Sequence, residues 1–376
     1  MCVVNIENND YIREYKEYKY VLAREVMSSR MKETTIMERN LQIDLLRIIA
    51  CIAVVATHGL CTAEGTYTQI LYYFVGFSVP VFFSLTGFFL FNKDQIQPRY
   101  ILKKCANYLR LIFLWSVLVF FMDDILLLMN GRQAGGFSHF LEILVGSYTF
   151  NNWLTHFWYL WAMVFTYLAV LLILLIFRGK IDRKTILKLW MIFLGISLIL
   201  QIISYSLRRP VVLQQRYNKY KIWTYLQYVL LGGTVPQFEE IIRKKVSLKV
   251  HLLVLIGWSA FTTFYCYYIC TKWFKIPYYH NMFDSLAMIV WIMLILTFFK
   301  RIKIKGTLWT SVIREVAPLT LGIYILQSIV LGFLFPIEWM EYPNGSVIRC
   351  IMAFIISLSI SWLINKIPKS KYLLSV

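Results

Sequence analysis

Arg47 and His58 stand eleven residues apart within one long apolar stretch. On a helix, eleven residues make three turns plus about 20° and rise about 16 Å, so both side chains leave one face. Asp44, three residues before Arg47, shares that face and can pair with the guanidinium. Charged and titratable groups in apolar surroundings are costly, and they mark a substrate or ion path. Their chemistry is narrow: an imidazole takes a proton or carries a group as a nucleophile, and a guanidinium holds an anion.

The element that positions them lies in a membrane. Of 376 residues, 59% are hydrophobic and 16% charged, with mean hydropathy +0.60. A soluble domain carries about 45–50% apolar and 25% charged residues. Ten apolar stretches are long enough to cross a hydrocarbon core: about 42–60, 71–91, 109–129, 156–177, 187–205, 222–237, 250–270, 283–299, 314–334 and 347–365. The sixth is the weakest, being short and carrying Gly232, Gly233 and Pro236. The expected fold is an all-α polytopic membrane protein of about ten transmembrane helices.

The net charge of +19 is arranged for a bilayer and not for nucleic acid. Alternate loops and the termini hold 26 Lys and Arg on one side against 8 on the other. This asymmetry places both termini in the cytoplasm. The exception is the 206–221 loop, with Arg208, Arg209, Arg216, Lys219 and Lys221. Either that loop binds an anion outside, or the fifth and sixth spans are drawn wrongly.

The remaining chain offers little independent chemistry. Seven scattered cysteines form neither a Cys-x-x-Cys motif nor a metal-ligand cluster, so no metal is expected. Residues 1–38 form a cytoplasmic tail or an amphipathic helix, with Met37 as an alternative start. Residues 39–366 form the membrane domain, and 367–376 a short cytoplasmic tail. Asp123 and Asp124, with His139 and His156 beyond them, are candidates for an outer rim that contacts a substrate. No polar loop is long enough to fold alone, so the chemistry belongs among the helices or at their rims.

The run RNLQIDLLRIIACIAVVATHGL (39–60) resembles the opening helix of the acyltransferase-3 family of integral membrane O-acyltransferases, with Arg47 and His58 matching its basic residue and histidine. VPVFFSLTGFFLF (79–91), with Phe83 and Gly87, resembles the family's second helix. HFWYLWAMVFTYLAVLLI (156–173) and PLTLGIYILQSIVL (318–331) resemble two later ones. Two positions depart from the pattern. Lys104 and Asn107 fall where the family has an Arg-x-x-Arg pair, and Gln327 falls where many relatives have a histidine. Glutamine can hydrogen-bond but cannot shuttle a proton at neutral pH.

The resemblance implies transfer of an acyl group, often acetyl, from acyl-CoA to a hydroxyl of a cell-envelope or surface carbohydrate by a multi-pass protein of the bacterial plasma membrane. Acyl-CoA is then a co-substrate, with no permanently bound cofactor. In that frame Arg47, Lys103, Lys104 and Arg110 hold the CoA phosphates at a cytoplasmic rim. His58 is the general base or the acyl carrier, and Trp158, Tyr159 and Tyr324 are candidate oxyanion donors on the substrate side, with Asp44 supporting Arg47. Several of these have plainer roles open to them. Trp158 and Tyr159 suit an interfacial aromatic belt, Arg47 can serve only to neutralise Asp44, and Phe83 and Gly87 suit helix packing. A transporter using the same polar stripe for a small solute is the alternative function.

Overall fold

A computed structural model describes residues 40–60, 65–93, 96–149, 154–179, 181–209, 221–276, 278, 282–368 and 370–374. The expected N-terminal tail or helix, and Arg216 and Lys219 of the basic loop, lie outside these residues. Among the described residues there is no strand. The helices are α1 Leu41–Leu60, α2 Thr66–Phe74, α3 Ser78–Phe91, α4 Pro98–Met129, α5 Gly136–Thr149, α6 Trp158–Ile176 and α7 Arg183–Ser206. They continue with α8 Ile222–Lys245, α9 Leu248–Tyr268, α10 Leu286–Arg301, α11 Thr307–Val316, α12 Thr320–Leu334, α13 Pro343–Lys366 and α14 Lys371–Leu374. All ten apolar stretches are helical, and the chain is an all-α polytopic membrane protein.

Among the described residues, eight helical segments have the length and apolarity to cross a bilayer. Two of these, Thr66–Phe91 and Thr307–Leu334, contain a break. Single 3₁₀ turns at Val75–Phe77 and Ala317–Leu319 join α2 to α3 and α11 to α12. Pro80 and Pro318 sit at these breaks, and a proline removes a backbone donor and clashes with the preceding turn. Irregular backbone at membrane depth survives only where protein or a cavity covers it, and Gly76, Phe77, Ala317 and Leu319 are buried.

α8 falls outside the eight because Thr224, Gln227, Gly232, Gly233, Thr234, Pro236 and Gln237 lower its apolarity and its inner end carries Glu239, Glu240, Arg243, Lys244 and Lys245. It is nevertheless the central pillar, buried without interruption from Thr224 to Val235. Its glycines explain how it fits. A Cβ on Gly87 would lie 1.7 Å from the Val229 carbonyl oxygen, and one on Gly232 would lie 1.8 Å from the Ser84 oxygen. The α3 and α8 backbones therefore touch, the packing that small residues allow between membrane helices. Gly232 and Gly233, which weaken the stretch when read as a helix, are what seat it in the bundle. Phe83 against Tyr225, Gly87 against Val229 and Phe91 against Gly233 advance four residues together, so α3 and α8 run parallel.

α10 has 16 residues and rises about 24 Å. Its inner end is tied to its neighbours: Lys300 lies 3.8 Å from Glu239 of α8, and Arg301 donates to the Val246 carbonyl at 2.7 Å. Asp182 caps α7 by accepting from the Thr185 amide, and hydrogen bonds from the Thr185 side chain first and then from that amide hold its carboxyl below the usual carboxylate range. Outer faces are apolar, as on α7, where Ile192, Ile199 and Ile202 are exposed. Residues 370–374 are docked, with Trp115 of α4 donating to the Leu373 carbonyl at 2.8 Å and Leu374 buried.

Candidate active site

α1 is enclosed almost all round, and Ile52 is its exposed residue among those described. Ile52 lies five residues from Arg47, about 140° around the helix, so neither Arg47 nor His58 faces lipid. The stripe from Arg47 to His58 passes through Cys51 and Val55, which pack with Leu319 of the 3₁₀ turn and Ile323 of α12 in one apolar cluster. The Cys51 thiol donates to the Thr320 carbonyl at 3.5 Å. The direct path along α1 is therefore filled by side chains, and any passage between the two groups runs beside that stripe.

Arg47 turns toward α3, α4 and α6. Its guanidinium lies 3.5 Å from the Asp44 carboxylate and 5.5 Å from the centre of the Phe89 ring. It is within electrostatic reach of the Tyr108 and Tyr159 hydroxyls. Tyr108 in turn lies near Tyr100, Tyr167 and Tyr324, and its ring centre is 6.0 Å from that of Tyr167. Five tyrosines thus form a row from the basic end of α4 into the bundle.

The four expected rim cations do not all lie together at the start of this row. Lys93 Nζ sits 3.7 Å from the centre of the Tyr100 ring and Lys104 Nζ sits 5.7 Å from it. Lys103 is exposed, and Arg110 lies over Tyr372 of α14 at 5.2 Å, covered by the C-terminal segment. The two cations beside Tyr100 are Lys93 and Lys104, and Lys93 was not singled out by the sequence pattern. Lysine clusters beside such a span are common, so only contact with Tyr100 distinguishes it.

The row ends in an aromatic layer. Tyr159 lies 5.1 Å from Phe83 and 5.4 Å from Tyr324 between ring centres, Phe83 stacks on Tyr225 at 4.4 Å, and Trp158 lies 6.0 Å from Tyr225. The Tyr324 hydroxyl donates to the His156 carbonyl, and a His156 ring nitrogen lies 3.1 Å from the Ile325 carbonyl. Tyr324 thereby joins α12 to the start of α6, and its donor is already used. Trp158 is buried against Tyr225, within the layer and not in a belt at the bilayer surface. Tyr159 and His58 are each half-buried. His58 lies on the α1 stripe one turn beyond Val55, and Val55 clusters with Ile323, the neighbour of Tyr324. His58 therefore stands just outward of the layer.

The expected outer rim separates into two parts. A His139 ring nitrogen lies 2.9 Å from Asp123, while Asp124 accepts from the Gly135 amide at 2.9 Å. His156 is fully enclosed beneath Tyr324 and is not at that rim. The boundaries of the 206–221 loop stand, since α7 ends at Ser206 and α8 begins at Ile222. Lys221 is no solvated loop charge, however: it is buried at the start of α8 within reach of Asp284.

Arg349 is the group that the spacing argument overlooks. It is fully buried in α13, donates from Nη2 to the Gly59 carbonyl at 2.5 Å and lies 4.3 Å over the Phe335 ring. An arginine inside the tenth apolar stretch was a readable signal, because it costs as much there as Arg47 does in the first.

A family described as an acyltransferase domain matches residues 40–366, nearly the whole described bundle. The chain belongs to the acyltransferase-3 family. No curated protein and no solved structure matches it. As an acyltransferase-3 protein it is a membrane acyltransferase, and Arg47, His58 and the tyrosine row lie within the matched region.

Proposed function

We propose that this acyltransferase moves an acyl group, acetyl in the first instance, from acyl-CoA on the cytoplasmic side to a hydroxyl of a cell-envelope carbohydrate. The observation that supports this reading most directly is the tyrosine row, which leads from Lys93, Lys104 and Tyr100 past Arg47 to the layer beneath His58. CoA joins phosphates to a long, flexible thioester arm. Lys93, Lys104 and Arg47 hold the phosphates, with the arm lying along the tyrosines.

His58 then acts as general base. It takes the proton of the acceptor hydroxyl as that oxygen attacks the thioester carbonyl, the C–S bond breaks, and the departing CoA sulfur recovers the proton. The Tyr159 hydroxyl is the best placed donor to the oxyanion, since Tyr324 already donates to His156 and Trp158 is packed against Tyr225. Asp44 holds Arg47 on the inner side of this arrangement.

The test is purified protein in proteoliposomes supplied with radiolabelled acetyl-CoA. Wild type releases CoA and transfers label to a carbohydrate, and His58→Ala lowers the rate by about 10²–10⁴-fold, the usual contribution of a general base. Full activity in His58→Ala removes the mechanism. Solute flux across the bilayer without CoA release removes the acyl-transfer reading in favour of transport.

A further inference from the structure

Asp284 precedes α10 and accepts a hydrogen bond from the Thr224 hydroxyl of α8. Lys221 lies within electrostatic reach of the same carboxylate, and Tyr228 donates to the neighbouring Phe283 carbonyl at 2.6 Å. Two contacts bracket the parallel pair α8 and α10: Thr224 with Asp284 at one end, and Glu239 with Lys300 at the other. Fifteen and sixteen residues separate them, about 22–24 Å of helix. The second contact adjoins Arg243, Lys244 and Lys245, the cytoplasmic side by the charge asymmetry. Asp284 therefore marks the outer rim.

At that rim the cluster borders the aromatic layer, because Thr224 precedes Tyr225, which stacks on Phe83 and meets Trp158. Asp284 is half-buried, so part of its carboxylate is open. A carboxylate, an ammonium and a hydroxyl beside aromatic rings form a set that suits a polyhydroxylated ligand. The carboxylate accepts from hydroxyl groups, and ring faces cover the apolar C–H faces of a sugar.

We propose that Lys221, Thr224 and Asp284 form the subsite that holds the carbohydrate acceptor, with the carboxylate accepting from acceptor hydroxyls other than the one acylated. This rests on the acyl-transfer reading above. The subsite places the acceptor on the outer side of the aromatic layer, where His58 also stands.

The experiment measures label transfer from radiolabelled acetyl-CoA in proteoliposomes, with maltotetraose and N,N′-diacetylchitobiose as acceptor probes, varying donor and acceptor separately. Asp284→Asn is expected to raise the acceptor concentration for half-maximal transfer about tenfold or more, with less than about a twofold change for acetyl-CoA. Thr224→Val, which keeps the carboxylate and removes its hydroxyl partner, gives a smaller rise in the same quantity, about threefold. Equal donor half-saturation in the variants also reports a folded protein. Acceptor half-saturation unchanged in both variants overturns the subsite, as does a parallel rise for donor and acceptor. CoA release by wild type with neither sugar labelled overturns a sugar subsite and leaves acyl transfer standing. No CoA release by wild type overturns the acyl-transfer reading itself.

Discussion

Arg349 shows how one residue can govern another 290 positions away, through the Gly59 carbonyl. That carbonyl belongs to the last turn of α1, where no later amide of the helix is in place to satisfy it. Arg349 supplies the donor and spreads its guanidinium on Phe335, fixing the end of the helix that carries His58. Replacement by leucine loses a charged hydrogen bond, about 1.5–3 kcal/mol, but also removes the cost of burying a cation. The two offset, so Arg349→Leu is expected to shift the thermal midpoint in detergent little while lowering turnover about tenfold or more through a loosened His58. Arg349→Lys restores part of the turnover, because an ammonium can reach the carbonyl but cannot lie flat on the ring. Wild-type turnover in Arg349→Leu would show that His58 is held without it. Asp44, Arg47 and His58 were legible in the sequence because the helical period alone puts them on one face. Arg349 and Asp284 were legible only as costly charges, since their partners come from other helices and no local spacing names them.

Between elements, the closest approach in the bundle is the contact of α3 with α8. Gly232 and Gly87 place backbone against backbone, and no side-chain motion can relieve an added Cβ. Gly195 of α7 is the opposite case, since a Cβ there would meet nothing within 4 Å. Gly232→Leu is therefore expected to cost about 3 kcal/mol or more by overpacking and to displace the layer that contains Phe83 and Tyr225. Gly195→Leu should be neutral or slightly stabilising, because glycine is about 1 kcal/mol worse than alanine or leucine within a helix. Thermal unfolding of the two variants in detergent checks this, and equal midpoints would refute the contact. The pattern of small residues gave Gly87 its packing role, but it could not name α8 as the partner. For Gly232 and Gly233, helix propensity and close packing point in opposite directions, and only the partner's position decides between them. The aromatic layer was hidden for the same reason: Phe83, Tyr159, Tyr225 and Tyr324 come from four helices, and each alone resembles an ordinary apolar or interfacial residue.

At the scale of the whole molecule, the charge asymmetry requires α8, α9 and α10 to alternate across the bilayer, although α8 ends in charges and α10 is short. The contacts agree with that requirement. Arg301, at the end of α10, bonds Val246, between α8 and α9, while Asp284, just before α10, bonds Thr224 near the start of α8. So α8 and α10 share both ends, with α9 running back between them. A rise of about 24 Å for α10 falls short of a hydrocarbon core of about 30 Å. A span this short is accommodated by local thinning of the bilayer. The consequence can be measured by labelling single cysteines with a membrane-impermeant maleimide. Cys51, Cys105, Cys266, Cys270 and Cys350 are buried, so a background lacking only Cys2 and Cys61 should be silent. Arg209→Cys and Lys272→Cys, both exposed, are expected to label from outside intact cells. Lys245→Cys and Lys303→Cys, also exposed, should label only after permeabilisation. Were α8 to stop short of crossing, positions 209 and 245 would label from one side, and Asp284 would share the cytoplasmic face with Lys300. An outward-facing acceptor could not then meet it, so this labelling pattern decides whether the tyrosine row and the Asp284 cluster open on opposite sides of the membrane.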